Sequence, residues 1–188
     1  MKNVLIFIGI LIVAAFIGFS WYVGGVNHVV ALDESVKSGW AQVENQLQRR
    51  NDLIPNLVAT VKGFAKQEMG IFTEVTRLRS QWGQAKTIDE KIDNAGAMSG
   101  ALSRLLLVAE NYPALKSDQN FLTLQSQLEG TENRIAVERM RYNEGVQAFN
   151  TYIRTFFGSF FAGQKGLTQP AVYFKADEKS KEVPQVSF

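Results

Sequence analysis

The chain has no cysteine and one histidine. Without cysteine there is no disulfide framework, thiolate zinc site, iron–sulfur cluster, thiol nucleophile or thioether-linked lipid anchor. One histidine excludes multi-histidine metal sites and leaves little from which to build a catalytic triad. Charge of one sign is scarce as well: 188 residues carry a net charge of +2, too little to favour nucleic acid. Arg49-Arg50 and Arg77-x-Arg79 are sparse and interleaved with acids, which again argues against a nucleic-acid surface. There is no phosphate-cradling glycine loop and no nucleophile elbow. These absences leave architecture and location as the main content of the sequence.

What is present is unevenly placed. No Asp, Glu, Lys or Arg occurs from Asn3 to Leu32, and Val4–Val26 is almost wholly apolar. As a helix those residues would span ~35 Å at ~1.5 Å per residue, enough for a bilayer core. Val4, Phe7, Leu11 and Phe16 supply apolar bulk, while Trp21 and Tyr22 stand near one end, where amphipathic rings favour the headgroup region. The run exceeds the apolar core of a cleaved signal peptide, so a retained anchor is expected. Lys2 and the terminal amine lean the amino terminus toward the cytoplasm, with the rest of the chain outside. Gly24-Gly25 reads as a hinge after the anchor, and His28 as an interfacial polar residue.

Downstream, apolar residues recur at steps of four and three. Val36, Trp40, Val43, Leu47, Ile54, Leu57, Val61 and Phe64 share one register, with Arg50 in its gap. Pro55 cannot donate to the carbonyl of Asn51, so a kink or short break is expected near 51–55, with Asp52 capping the restart. Ile71, Phe72, Val75 and Leu78 mark a helix ending about Gln84. Thr87 and Glu90 have capping-box spacing and open another, whose stripe is Ile92, Ala95, Leu102, Leu106 and Ala109. Asn111-Tyr112-Pro113 ends it. Ser117 or Asp118 caps the last long helix, whose seam runs from Phe121 through Tyr142 and Phe149 to Phe156.

The expected fold is therefore all-α: an N-terminal transmembrane anchor (1–26), then an elongated antiparallel bundle of about four helices (27–157). An irregular tail (158–188) follows, broken by glycines, Pro170 and Pro184. Tyr173, Phe174, Pro184 and Phe188 are the tail residues expected to pack on this bundle or on a neighbour.

The densest polar group surrounds the proline: Asn45, Arg49, Arg50, Asp52, Pro55 and Asn56. Its arginines suit bidentate capture of a carboxylate or phosphate. They equally suit a buried network that compensates for Pro55 and fixes helix register. Because Arg50 lies in the apolar seam, it is expected to find a partner on the last helix, with Asn133, Arg134 and Glu138 as candidates. Asp33-Glu34, Asp89-Glu90 and Asp177-Glu178 are adjacent pairs. On a helix such neighbours point apart, so they do not make a general acid/base site.

The segment Trp40-Ala-Gln-Val-Glu-Asn-Gln-Leu-Gln-Arg-Arg-Asn-Asp-Leu-Ile-Pro-Asn-Leu-Val-Ala-Thr-Val-Lys-Gly63 resembles the signature of the LemA family of bacterial membrane-anchored proteins. The likeness continues through Val108–Lys116, Phe121–Glu129, Glu132–Ala136, Arg141–Glu144 and Val183–Phe188. Gly158 departs from a common proline, and Gly166-Leu167 from a usual Gly-Phe. The resemblance implies an amino-terminal transmembrane helix, an antiparallel bundle, a bacterial cytoplasmic (inner) membrane location and no established enzymatic activity. It implies an amino terminus outside the cytoplasm, opposite to the charge lean. Some relatives are linked to membrane compartment organisation or signalling.

Taken together, the sequence points to a non-catalytic scaffold or interaction protein, with no cofactor, metal or nucleic acid. Its expected partners are the lipid bilayer, further copies of itself and other membrane proteins. The competing reading is a ligand-sensing adaptor that uses the Arg49/Arg50 region.

Overall fold

The computed structural model describes residues 2–175. Among them the secondary structure is entirely helical, in six helices. These are α1 (Lys2–Phe64), α2 (Met69–Gln84), α3 (Ile88–Ala109), α4 (Pro113–Lys116), α5 (Gln119–Tyr152) and α6 (Phe156–Lys165). The sequence leads one to expect about four bundle helices and an irregular chain from Gly158. The structure adds the single turn of α4 and makes residues 156–165 helical. Pro184 and Phe188 lie outside the described residues.

The chain divides into two compact units, Met1–Gly39 with Tyr142–Ala171, and Trp40–Arg141 with Val172–Phe188. Helix α1 runs through both without a break. Neither expected interruption occurs: Gly24-Gly25 is helical, and so are residues 51–55. At Pro55 two features keep the helix whole. The ring lies on the exposed face, while Ile54 and Leu57 are buried on the other. The Asn51 carbonyl, deprived of its usual donor, accepts from Arg79 Nε at 3.4 Å. Asp52 therefore caps nothing; it accepts from Gln48 Nε2 at 2.8 Å on an uninterrupted surface.

In the second unit one core is shared by α1 to α5. Ile54, Leu57 and Val61 meet Phe72, Val75 and Leu78, then Met98, Leu102 and Leu105, with Leu115, Phe121 and Leu128 closing it. Each such side chain contributes about 1.5–3 kcal/mol on burial. Thr87 and Glu90 form the expected capping box: Glu90 N donates to Thr87 Oγ1, and Glu90 Oε2 accepts from Thr87 N. Asp118 caps α5, its Oδ1 accepting from Phe121 N at 2.9 Å.

In the first unit Val29, Val36, Val146, Phe149 and Ile153 are buried. Thr155 caps α6 by accepting from Gly158 N. A Cβ on Gly158 would lie 2.0 Å from the Tyr152 carbonyl oxygen, so the restart after α5 requires glycine there. Gly166, in the left-handed conformation (φ 68°), ends α6. Beyond it the Asn150 amide holds the chain in two directions, donating to Ala171 O (2.8 Å) and accepting from Ala171 N (2.7 Å).

Candidate functional site

Two features stand apart from ordinary bundle packing: the bare amino-terminal part of α1, and a buried guanidinium in the second unit.

The first follows directly from composition. The large apolar side chains from Val4 to Val23, including Phe7, Leu11, Phe16, Trp21 and Tyr22, are all exposed. This is the one stretch among the described residues long and apolar enough to cross a membrane, and its most hydropathic window is uncovered by the rest of the chain. Exposed apolar surface of this extent in water would be a strong drive to aggregate.

The second is built from three helices. Arg50 on α1 reaches inward at a seam position and is among the largest fully buried side chains. Its Nη1 donates to Ser99 Oγ on α3 (2.9 Å) and to Glu132 Oε1 on α5 (3.1 Å). Its Nη2 donates to the Ala95 carbonyl (3.2 Å), which also accepts from Ser99 Oγ (3.1 Å). Burial pushes the Arg50 pKa down, and the Glu132 charge opposes that shift. The guanidinium remains charged, so its desolvation is offset only by these contacts.

The partners differ from those expected from the sequence. Arg134 is exposed, and Glu138 pairs with Arg141 at 2.9 Å. Glu132 takes the role, two residues before Arg134 and therefore on a different face of α5. Asn45, Arg49, Asp52 and Asn56 are all exposed; the structure does not gather them around Arg50. Asn51 is buried instead, and neither atom of its side-chain amide has a hydrogen-bond partner. Arg50 Nε is likewise unpartnered.

Clefts flank this network. One of about 410 Å³ is lined by Ser99, Leu102, Leu128, Glu129 and Glu132. Another of about 320 Å³ has Arg50, Ser99, Glu132, Arg139 and Phe174 in its wall. Phe174, one of the expected tail contacts, is buried, with its ring 6.5 Å from that of Trp40 and the Arg139 guanidinium 5.6 Å above it. Tyr173 beside it is exposed. Among the described residues no three His, Cys, Asp or Glu side chains converge in a way that would hold a metal ion.

Sequence reasoning missed Glu132, Ser99 and Ala95 as the Arg50 cradle, and Arg79 as the donor to Asn51. Helical periodicity marks a buried arginine but says nothing about which turn of another helix meets it. The available signal was the position of Glu132 beside the seam residue Thr131.

A model described as the LemA family matches residues 39–188. The chain belongs to the LemA family. The match begins at the last residue of the amino-terminal part of the first unit and includes the whole Arg50 network. This LemA-family chain is also 26% identical over 199 residues to magnetosome proteins MamQ 1 and MamQ 2 of Paramagnetospirillum magneticum. Those alignments cover 92% of it and 72% of each relative. It is 24% identical over 153 residues to magnetosome protein MamQ of Magnetospirillum gryphiswaldense, covering 68% of this chain and 56% of that one.

Proposed function

We propose that this protein is a single-pass anchored helical scaffold of the bacterial cytoplasmic membrane, working by packing with copies of itself and with other membrane proteins, and performing no catalytic step. One observation carries the proposal. The uncovered apolar stretch from Val4 to Val23 continues without interruption into the helix that supplies Ile54, Leu57 and Val61 to the core. The same helix thus carries both the apolar stretch and residues of the core. The family membership and the similarity to magnetosome proteins support a part in an assembly. An antiparallel arrangement of the long helices is part of the same proposal.

A ligand-sensing role at Arg49 and Arg50 has less support. Both Nη groups of Arg50 are occupied within the bundle, and Arg49 is exposed on another face. Its strongest argument is the unpartnered Arg50 Nε beside a cleft.

Cross-linking in membranes followed by native mass spectrometry in mild detergent tests the scaffold reading. The expected result is a defined oligomer or a co-purifying membrane partner. A strict monomer without one would overturn the assembly.

A further inference from the structure

Helix α6 has the sequence Phe-Phe-Gly-Ser-Phe-Phe-Ala-Gly-Gln-Lys. At helical spacing, Gly158, Phe161 and Ala162 form one face, and these three are buried. What buries that face includes α1: Phe161 lies 5.1 Å from the Trp21 ring and 6.1 Å from that of Tyr22. A Cβ on Gly25 would come within 2.6 Å of three Phe161 ring atoms. The opposite face should be polar if water covers it. It carries three large aromatic rings instead: Phe156 is 84% exposed, Phe157 56% and Phe160 51%. Ser159, Gln164 and Lys165 are exposed as well, but the rings keep most of their surface open, Phe157 meeting Trp21 only at an edge (5.2 Å) and Phe160 lying 6.5 Å from Tyr22. Aromatic surface left open in this way calls for a cover other than water.

The place where it docks says what covers the other side. Trp21 and Tyr22 are near the end of the apolar run Val4–Val26. At ~1.5 Å per residue, the Trp21 level is ~8 Å inside that end. Amphipathic helices and aromatic belts occupy this depth, at the boundary of headgroups and acyl chains. Charge agrees. From Gly145 to Lys175 there is no acidic residue, while Arg154 and Lys165 flank α6 at its two ends, which suits anionic headgroups.

We propose that α6 is a second membrane-contacting element, lying in the headgroup–acyl boundary against α1 with Phe156, Phe157 and Phe160 in lipid. It would give the end of the span a second lipid-facing helix within the first unit. The proposal rests on reading Val4–Val26 as a membrane span.

The absence of cysteine makes the test clean, because each Cys substitution yields a single label site. The full chain is reconstituted in vesicles containing anionic lipid, with spin labels at Phe156→Cys or Phe160→Cys on α6, Leu11→Cys in the span and Asp89→Cys on α3. Collisions with oxygen, which partitions into lipid, are compared with collisions with a water-soluble nickel chelate. The expected result is that both α6 labels collide preferentially with oxygen, at a depth of ~5–10 Å, as Leu11→Cys does more deeply, while Asp89→Cys prefers nickel. Both α6 positions are more than half exposed, each losing only edge contacts with neighbouring rings, and unchanged helical circular dichroism verifies that the fold is kept. If both α6 labels follow Asp89→Cys while Leu11→Cys remains in lipid, α6 is not a membrane element and the span stands. If Leu11→Cys also follows Asp89→Cys, the span itself is refuted. Shielding from both reagents, with spin–spin broadening that vanishes on dilution with unlabelled chain, would assign the Phe face to a second copy and overturn the lipid assignment.

Discussion

Arg50 and Glu132 share a hydrogen-bonded ion pair of 3.1 Å whose two ends lie in different environments, the arginine side chain 2% exposed and the glutamate 38%. The pair is therefore asymmetric. Removing the glutamate strands a buried cation, whereas replacing the arginine removes the charge that needed a partner. Glu132→Ala is expected to cost about 1–3 kcal/mol, with water in the adjacent cleft limiting the loss. Arg50→Met, which fills the space without charge, should cost less. Arg134→Ala, at an exposed site, should stay within about 0.5 kcal/mol. Urea denaturation of the three variants checks the order, and Arg50→Met proving the most damaging would contradict it.

The Arg79–Asn51 hydrogen bond exists because Pro55 leaves a carbonyl without its helical donor. Replacing Pro55 with Ala restores that donor, so Pro55→Ala should stabilise the bundle. Arg79→Ala should then cost about 1 kcal/mol in the original chain and little in the Pro55→Ala background. A double-mutant cycle on thermal unfolding measures the coupling. Equal effects of Arg79→Ala in both backgrounds would mean that Arg79 does not compensate for the proline.

Most of the helical organisation was legible because burial in a helix leaves a period. Spacing alone singles out Val36, Trp40, Val43, Leu47, Ile54, Leu57 and Val61, and all are buried. The same reasoning failed where a helix stops and restarts. Phe156 continues the register of Phe149, yet it is exposed, because α5 ends at Tyr152 and Thr155 caps a new helix with its own phase. Phe64 failed similarly, with Ala65 buried in its place at the end of α1. The break expected at Pro55 did not occur because its compensation comes from α2, 28 positions away, and single-helix reasoning carries no such information. The candidate site was legible only at its centre. Arg50 stood out as a charge in an apolar seam, but its cradle depends on which turns of α3 and α5 face it.

Gly24 and Gly25 are neighbours with opposite surroundings. A Cβ on Gly24 would meet nothing within 4 Å, whereas one on Gly25 would collide with the Phe161 ring. Gly25→Val should detach α6 from α1, seen as faster amide exchange across residues 156–165. Gly24→Val should leave exchange there unchanged. Similar exchange in both variants would mean that α6 does not depend on this contact.

Glu90 gives the bundle a defined acid response. Its carboxylate accepts from the Lys86 and Thr87 backbone N–H groups, which hold its pKa below the ordinary 4.5. A folded-state pKa below the unfolded value means the contribution is present above the unfolded pKa and disappears as pH falls through the folded one. Glu90→Gln should therefore flatten the stability loss below about pH 4.5, while Thr87→Ala should cost ~1 kcal/mol through loss of the cap. Unfolding curves from pH 6 down to about pH 3, in ~0.5 steps across the carboxylate range, check both. An unchanged acid slope in Glu90→Gln would remove Glu90 from the account.

The most direct test of the account is alkaline carbonate extraction of membranes from cells producing the full chain, followed by intact-mass measurement of the protein recovered. Retention in the membrane pellet at the mass of a chain that still carries Val4–Val26 is the predicted result. Release into the supernatant, or a mass lacking that segment, would contradict a scaffold that works by being anchored.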